Sequence, residues 1–359
     1  MTHIILSQKG QAGLIMLDRP QALNAMTIEM VTQMSQALLQ WEEDDSIHHV
    51  IITSSSPRAF CAGGDVRQAV GIIAENPKKG AIPYFDAEYG FDCILAGFQK
   101  PVIALVDGVV MGGGFGVARL ADIMVVSSTI KMAMPETAIG LFPDVGASLF
   151  LRRAPMAAAL MMGMTGAVIG AGDAMAWQIA DYHCQSESFI ALQNALCDAR
   201  TQDDITECLE RYHTAPPEPH FALQINDITA IFGTGTPAEI ADKAQSHADK
   251  GGEASWAAAL AHKCPTSIAL FWHMMTQERV PNSYTEAICR DYYLACKMTS
   301  RADFVEGVRA VLIEKDNAPN WHPATVSEID HKMLIDLFDF TGMSPLPEVR
   351  FTPKTIEVM

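Results

Sequence analysis

Pro101 to Val106 reads PVIALV, six residues with no polar side chain on either of the two faces a strand presents. A strand with one wet face alternates, and this one does not. It therefore belongs inside a parallel sheet that is covered on both sides. The flanking sequence supplies the cover. Val50 to Thr53 is a second short apolar strand, followed by a glycine loop from Arg58 to Asp65 and a helix from about Val66. After a polar break at Asn76 to Gly80, Pro83 to Gln99 reads helical. Beyond the Asp107-Gly108 turn, Met111 to Gly114 opens a helix that runs through Leu120, and Ile123 to Val126 is the next strand. Upstream, residues 3–8 and 12–18 flank Lys9-Gly10-Gln11 as a β-hairpin. Val31, Met34, Leu38 and Trp41 recur at spacings of three and four, which marks a helix, and the acidic run Glu42 to Asp45 is its solvated end. Strand, helix and glycine loop repeat in this way over the first 150 or so residues, the pattern of an α/β fold.

After Pro155 the strand signals nearly stop. Met156 to Ala171 is rich in Met and Ala but broken by Gly163, Gly166 and Gly170, so it is a core helix and turn, too short for a membrane span. Asp173 to Ala180 and residues 186–211 read helical, and a proline-rich stretch at Ala215 to Pro219 marks a boundary. The expected division is a core at 1–214 and a mainly helical region at 215–359. A chain of 359 residues accommodates both.

A net charge of −17 argues against nucleic acid and anionic membranes as partners. The eight cysteines show no C-x-x-C spacing and no grouping with histidine, which disfavours a metal site or a disulfide framework. Free thiols suit a reducing compartment, the cytoplasm, and the opening MTHIILSQKG reads as a strand rather than a signal peptide.

Chemistry concentrates in Lys131 to Ser148, where Glu136 and Asp144, each preceded by proline, stand in an otherwise apolar run. Buried carboxylates need a reason. Two readings are open on local sequence: a catalytic pair tuned by burial, or two helix-end residues, with Glu136 opening a short turn and Asp144 capping a helix from Val145. The loops at 62–65 and 112–114 place consecutive glycines where helices begin. Backbone N–H groups exposed there can hold a developing oxyanion, or the glycines can merely permit tight turns. There is no P-loop, no G-x-G-x-x-G opening a helix and no G-x-S-x-G elbow, and Cys61 reads as a small buried side chain.

AFCAGGDV at 59–66, MGGGFGVA at 111–118 and AMPETAIGLFPDVGAS at 133–148 together resemble the crotonase (enoyl-CoA hydratase/isomerase) superfamily. ALNAM at 22–26, Glu88-Tyr89, CPTS at 264–267 and the run from Asp303 to Pro323 extend the likeness to its 3-hydroxyisobutyryl-CoA hydrolase branch. The resemblance implies a spiral of ββα units followed by a helical C-terminal region. It implies hydrolysis of a small 3-hydroxyacyl-CoA thioester, 3-hydroxyisobutyryl-CoA in valine breakdown, with no cofactor, CoA being part of the substrate. It also implies roles: Gly64 and Gly113 as oxyanion donors, Glu136 and Asp144 as catalytic acids, and Glu88, Ala62 and Phe115 as substrate contacts. Trimers are common in the superfamily, so a homo-oligomer is allowed.

Where hydratases of the superfamily carry a second-loop glutamate, this chain has Gly116, which disfavours hydration. Phe115, Ala147 and Gln178 also depart from the pattern, Phe115 by narrowing the expected pocket and Gln178 by replacing a usual glycine. The rival expectations are an enoyl-CoA isomerase using Glu136 alone and a non-catalytic assembly protein of the same fold. Arg19, Arg58 and Arg67 are the basic residues nearest the loops for the CoA phosphates.

Overall fold

The computed structural model describes residues 3–346. Two parallel layers dominate its first half. The larger sheet has the order β1 (Ile4–Lys9), β2 (Ala12–Leu17), β3 (His49–Ser54), β5 (Val102–Val106), β7 (Ile123–Val126) and β9 (Tyr182–His183). Only β1 and β2 pair antiparallel, as the hairpin; every other pairing is parallel. A smaller parallel sheet holds β4 (Ala59–Cys61), β6 (Val109–Met111) and β8 (Lys131–Ala133).

The chain steps from large sheet to small sheet three times, β3 to β4, β5 to β6 and β7 to β8. The first two steps are followed by α-helix and the third by a 3-10 turn. This is the ββα spiral. All five residues of β5 are buried, as its two apolar faces require. Edge strand β1 buries only Ile4, and its other five residues are exposed.

Local signals explain the helices. Thr27 Oγ1 accepts the Met30 N–H and starts helix Ile28–Glu42, which buries Met30, Val31, Met34, Ala37 and Leu38 along one stripe. Helix Ile82–Gly97 carries Pro83 in its first turn, where the missing N–H costs nothing. Gln178 stands at φ 56°, a left-handed conformation that favours glycine and gives a physical reason for the glycine usual there.

Beyond β9 the described chain is helical. Helix Pro265–Thr276 packs on Met156–Thr165, and Tyr284–Thr299 packs on Ile82–Gly97. One apolar cluster runs from Ile4 through Phe271 and Leu294 to Leu346, so the later helices share a core with the spiral. A second cluster lies on the other face of the large sheet, under Phe189–Asp198 and Gln202–Tyr212.

Candidate active site

The small sheet builds the site. Its three strands are parallel, so their C-terminal ends point the same way, and the segments that follow arrive together. β4 delivers Ala62 to Gly64, β6 delivers Gly112 and Gly113, and β8 delivers Pro135 and Glu136. A cavity of about 280 Å³ lies between them, lined also by Val66, Phe85, Glu88, Leu141 and Asp144, and closed by Val311 and Leu312 from the distant C-terminal region. Such a volume suits a small acyl group.

Six of the seven residues expected at the site line this cavity: Ala62, Gly64, Glu88, Gly113, Glu136 and Asp144. Phe115 does not. It is two residues past Gly113 on helix Gly113–Leu120, so it turns into the core and packs on Phe150, ring centroids 4.8 Å apart. The apolar side chains that do line the cavity include Phe85, Val66 and Leu141.

The glycines are required by what stands in front of them. A Cβ on Gly113 would lie 2.8 Å from Glu88 Oε1 and 3.4 Å from the Gly64 nitrogen. A Cβ on Gly64 would lie 2.6 Å from the same Glu88 oxygen and would also meet the Tyr84 hydroxyl, while one on Gly112 would lie 2.6 Å from Glu136 Oε1. Both loops therefore close around carboxylates. Gly113 is the first residue of its helix, so its N–H has no partner inside that helix.

The acids are deeply buried. Glu136 opens the short 3-10 turn Glu136–Ile139, as one local reading holds, yet its side chain caps nothing, and its Oε2 is buried without a hydrogen-bond partner. Burial, with the Asp144 charge added, holds its carboxyl well above the usual carboxylate range. The capping reading of Asp144 is corrected: the helix begins at Ala147 with Gly146 at its N-cap, and the Asp144 carboxylate accepts the Tyr89 hydroxyl instead. Burial pushes Asp144 up to about 7; the Tyr89 hydroxyl pulls it down and nearby Asp291 pushes it further up. Burial and the Asp144 charge push Glu88 up to about 8. Acids at such values can hold a proton at neutral pH and release it on demand.

A family model described as enoyl-CoA hydratase/isomerase matches residues 12–338. The chain belongs to the enoyl-CoA hydratase/isomerase family. Within it, the chain is 34% identical to the mitochondrial 3-hydroxyisobutyryl-CoA hydrolase of Danio rerio, covering 94% of this chain and 89% of that protein. It is equally similar to the Homo sapiens enzyme of that name, at 34% over 96% of this chain and 90% of the other, and is 30% identical to 3-hydroxyisobutyryl-CoA hydrolase 1 of Arabidopsis thaliana, over 94% and 92%. Among solved structures, a carnitinyl-CoA dehydratase from Mycobacterium thermoresistibile superposes with a TM-score of 0.86 at 30% identity, covering 99% of this chain and 100% of that one. An enoyl-CoA hydratase from Rhodobacter sphaeroides 2.4.1 gives 0.87 at 30%, over 96% and 99%.

Against the family pattern, Gly116 has a structural cause. A Cβ there would stand 2.5 Å from Val145 Cγ2 and 2.8 Å from Val145 Cβ, so no acidic side chain fits. Val145 reaches that place from a left-handed backbone at φ 50°, unusual for a β-branched residue and of the kind that costs about 1–3 kcal/mol.

Several contributors lie beyond the sequence expectations. Asp92, one helical turn from Glu88, is fully buried with neither carboxylate oxygen partnered, and burial raises it well above the usual range. The i, i+4 spacing from Glu88 to Asp92 could have flagged it. Lys263 sits where its charge pulls Glu136 down, while burial lowers the lysine itself. Leu312 lies on a π-turn, Arg309–Ile313, whose position over the cavity no local pattern announces. Of the three arginines, Arg19 is held by Asp65 at 2.8 Å, Arg67 donates to the Leu312 carbonyl, and Arg58 is exposed. Among the described residues, no group of three or more His, Cys, Asp or Glu is placed to hold a metal, and no helix is long and apolar enough to cross a membrane.

Proposed function

We infer that this protein hydrolyses a small 3-hydroxyacyl-CoA thioester, 3-hydroxyisobutyryl-CoA foremost, to the free hydroxy acid and CoA, a step of valine degradation. The observation that carries the reading is the pairing of Glu136 with Asp144 in one apolar cavity while position 116 has no room for an acid. Water addition across a double bond calls for acids on both sides of it, and the second-loop acid of hydratases has no place here. An isomerase needs Glu136 but no second acid. The relatives at 30–34% identity named as 3-hydroxyisobutyryl-CoA hydrolases support the same choice.

In the proposed reaction the Gly64 and Gly113 N–H groups bind the thioester oxygen and stabilise it as negative charge develops. Glu136, ionised when the proton the two acids share sits on Asp144, either attacks the carbonyl carbon, giving a mixed anhydride that water then opens, or takes a proton from the attacking water. Asp144, up at about 7, holds the proton that the departing thiolate takes. Glu88, up at about 8, donates to the 3-hydroxyl. The working compartment we favour is reducing, since all eight cysteines are free thiols. The Danio rerio and Homo sapiens relatives are named as mitochondrial, so the cytoplasm is our reading for this chain alone.

Thiol release from 3-hydroxyisobutyryl-CoA tests the function, with water addition to an enoyl-CoA followed in parallel. Release by the wild type, reduced about 10³-fold or more by Glu136→Gln, is expected. Hydration without thiol release would overturn the reading. A single turnover in ¹⁸O-water tests for an anhydride that water opens at the glutamyl carbon, because only then does label enter the Glu136 carboxyl.

A further inference from the structure

The segment that carries Asp144 is gripped from a helix far along the chain. Gly146 donates its N–H to Asp291 Oδ2 at 2.9 Å. Arg290 donates from Nη2 to Ser148 Oγ at 2.6 Å and to Asp291 Oδ1 at 3.0 Å, closing a ring between the helix Tyr284–Thr299 and residues 146–148. Asp291 is fully buried and Arg290 nearly so, with side-chain exposures of 0% and 12%. From the other side, the Tyr89 hydroxyl holds the Asp144 carboxylate, and Tyr89 itself packs edge-on against Tyr292, centroids 5.9 Å apart. Tyr292 in turn donates to Asp86 at 2.7 Å. Three successive residues of one helix, 290 to 292, thus bear on the placement of Asp144.

We propose that Asp291, locked by Arg290, is a positioning residue for Asp144: it fixes the backbone two residues downstream and stands as a second buried acid beside the segment it holds. The proposal rests on the hydrolase reading above for what Asp144 does, and on the geometry alone for how it is held. A burial-only role for Asp291 would be odd. A carboxylate at 0% exposure costs far more than an apolar side chain of its size unless its partners are specific, and here both partners belong to the Asp144 apparatus. The charged and titratable groups facing Asp144 are Glu88, Tyr89 and Asp92 from Ile82–Gly97, Glu136 from its own turn, and Asp291 with Arg290 from Tyr284–Thr299. Asp291 is an anionic neighbour of Asp144, and its removal favours ionised Asp144.

Two variants of the full chain separate clamp from charge. Asp291→Asn keeps an acceptor for the Gly146 N–H and loses the charge; Asp291→Ala loses both. With 3-hydroxyisobutyryl-CoA, Asp291→Ala is expected to lose kcat by about 10²-fold while KM moves less than about threefold. Asp291→Asn is expected to keep most of kcat and to shift the pH profile about 0.5–1 unit toward acid. Wild-type kcat in Asp291→Ala, or an unshifted profile in Asp291→Asn, overturns the proposal. Should the wild type release no thiol, the hydrolase reading fails by itself. The positioning role is then read from the ¹³C carboxyl titration of Asp144 in labelled protein. A midpoint lowered by Asp291→Asn supports it, and an unchanged midpoint sinks it.

Discussion

The two glycine loops look interchangeable in sequence and are not interchangeable in structure. The first, ahead of helix Val66–Glu75, leads into an element whose only buried residue is Ala69; its start is secured by Asp65, which accepts the Gln68 N–H and pairs with Arg19. The second leads into Gly113–Leu120, every residue of which is buried. A Cβ at Gly114 would drive into the Cys61 carbonyl and side chain, so the second loop lies directly on the strand that feeds the first. One loop is backed by solvent-side helix and the other by solid core. Interiors packed at crystal-like density transmit a displacement, whereas a half-exposed helix can shift to absorb one. The second loop is therefore the fixed reference of the site, and the first is the side that can yield.

Alanine at each loop breaks the comparison if it is wrong. Gly113→Ala places a methyl 2.8 Å from Glu88 Oε1 and 3.3 Å from Met26 Cε, on a helix with no free space behind it. With core behind the helix, the added methyl displaces the Glu88 carboxyl or the N–H itself, and thiol release should fall by about 10²–10³, the scale of a lost oxyanion donor. Gly64→Ala meets the same Glu88 oxygen and the Tyr84 hydroxyl, but helix Val66–Glu75 can move outward, so the fall should be nearer tenfold. Steady-state kcat for both, against melting curves to exclude unfolding, checks the ranking. Equal losses, or a larger loss at Gly64, would end the distinction.

Much of this is legible in the sequence. The all-apolar β5 requires two-sided cover, the three- and four-residue spacing from Val31 to Trp41 marks a helix, and Ala62, Gly64, Glu88, Gly113, Glu136 and Asp144 fall around one cavity. What stayed hidden has a common physical cause. Phe115 lies in the core and not at the site because helical residues two apart point nearly opposite ways, and which face meets the core is a tertiary matter. Asp144 looked like a cap because proline and glycine flank it, and only the approach of Tyr89, 55 positions upstream, gave its carboxylate another partner. Asp291 lies 145 positions from Gly146, and no local pattern spans that distance. The emptiness of position 116 is a sequence fact; that Val145 fills it from a left-handed backbone is a packing fact.

Glu88 is where the two loops meet, since a side chain on either would strike its Oε1, and it offers the smallest and sharpest test. Its carboxyl is pushed up to about 8, chiefly by burial and then by Asp144, from the ordinary glutamate value of 4.5. The sign follows from proton counting. Between these two values the folded protein holds a proton that the unfolded chain has released, so folding stability falls as pH rises. Below about 4.5 both states are protonated and there is no penalty. Glu88→Gln keeps the size and the donor but removes the titration. Its stability relative to wild type should be level near pH 4 and should improve by about 1 kcal/mol or more between pH 5 and pH 7, against a ceiling of ~1.4 kcal/mol per pH unit. Denaturant melts at those pH values measure the gap. A gap that stays constant with pH would mean that Glu88 is ionised in the fold. The two loops would then be closing around a charge, and the N–H groups of Gly64 and Gly113 would face competition from it for any oxyanion.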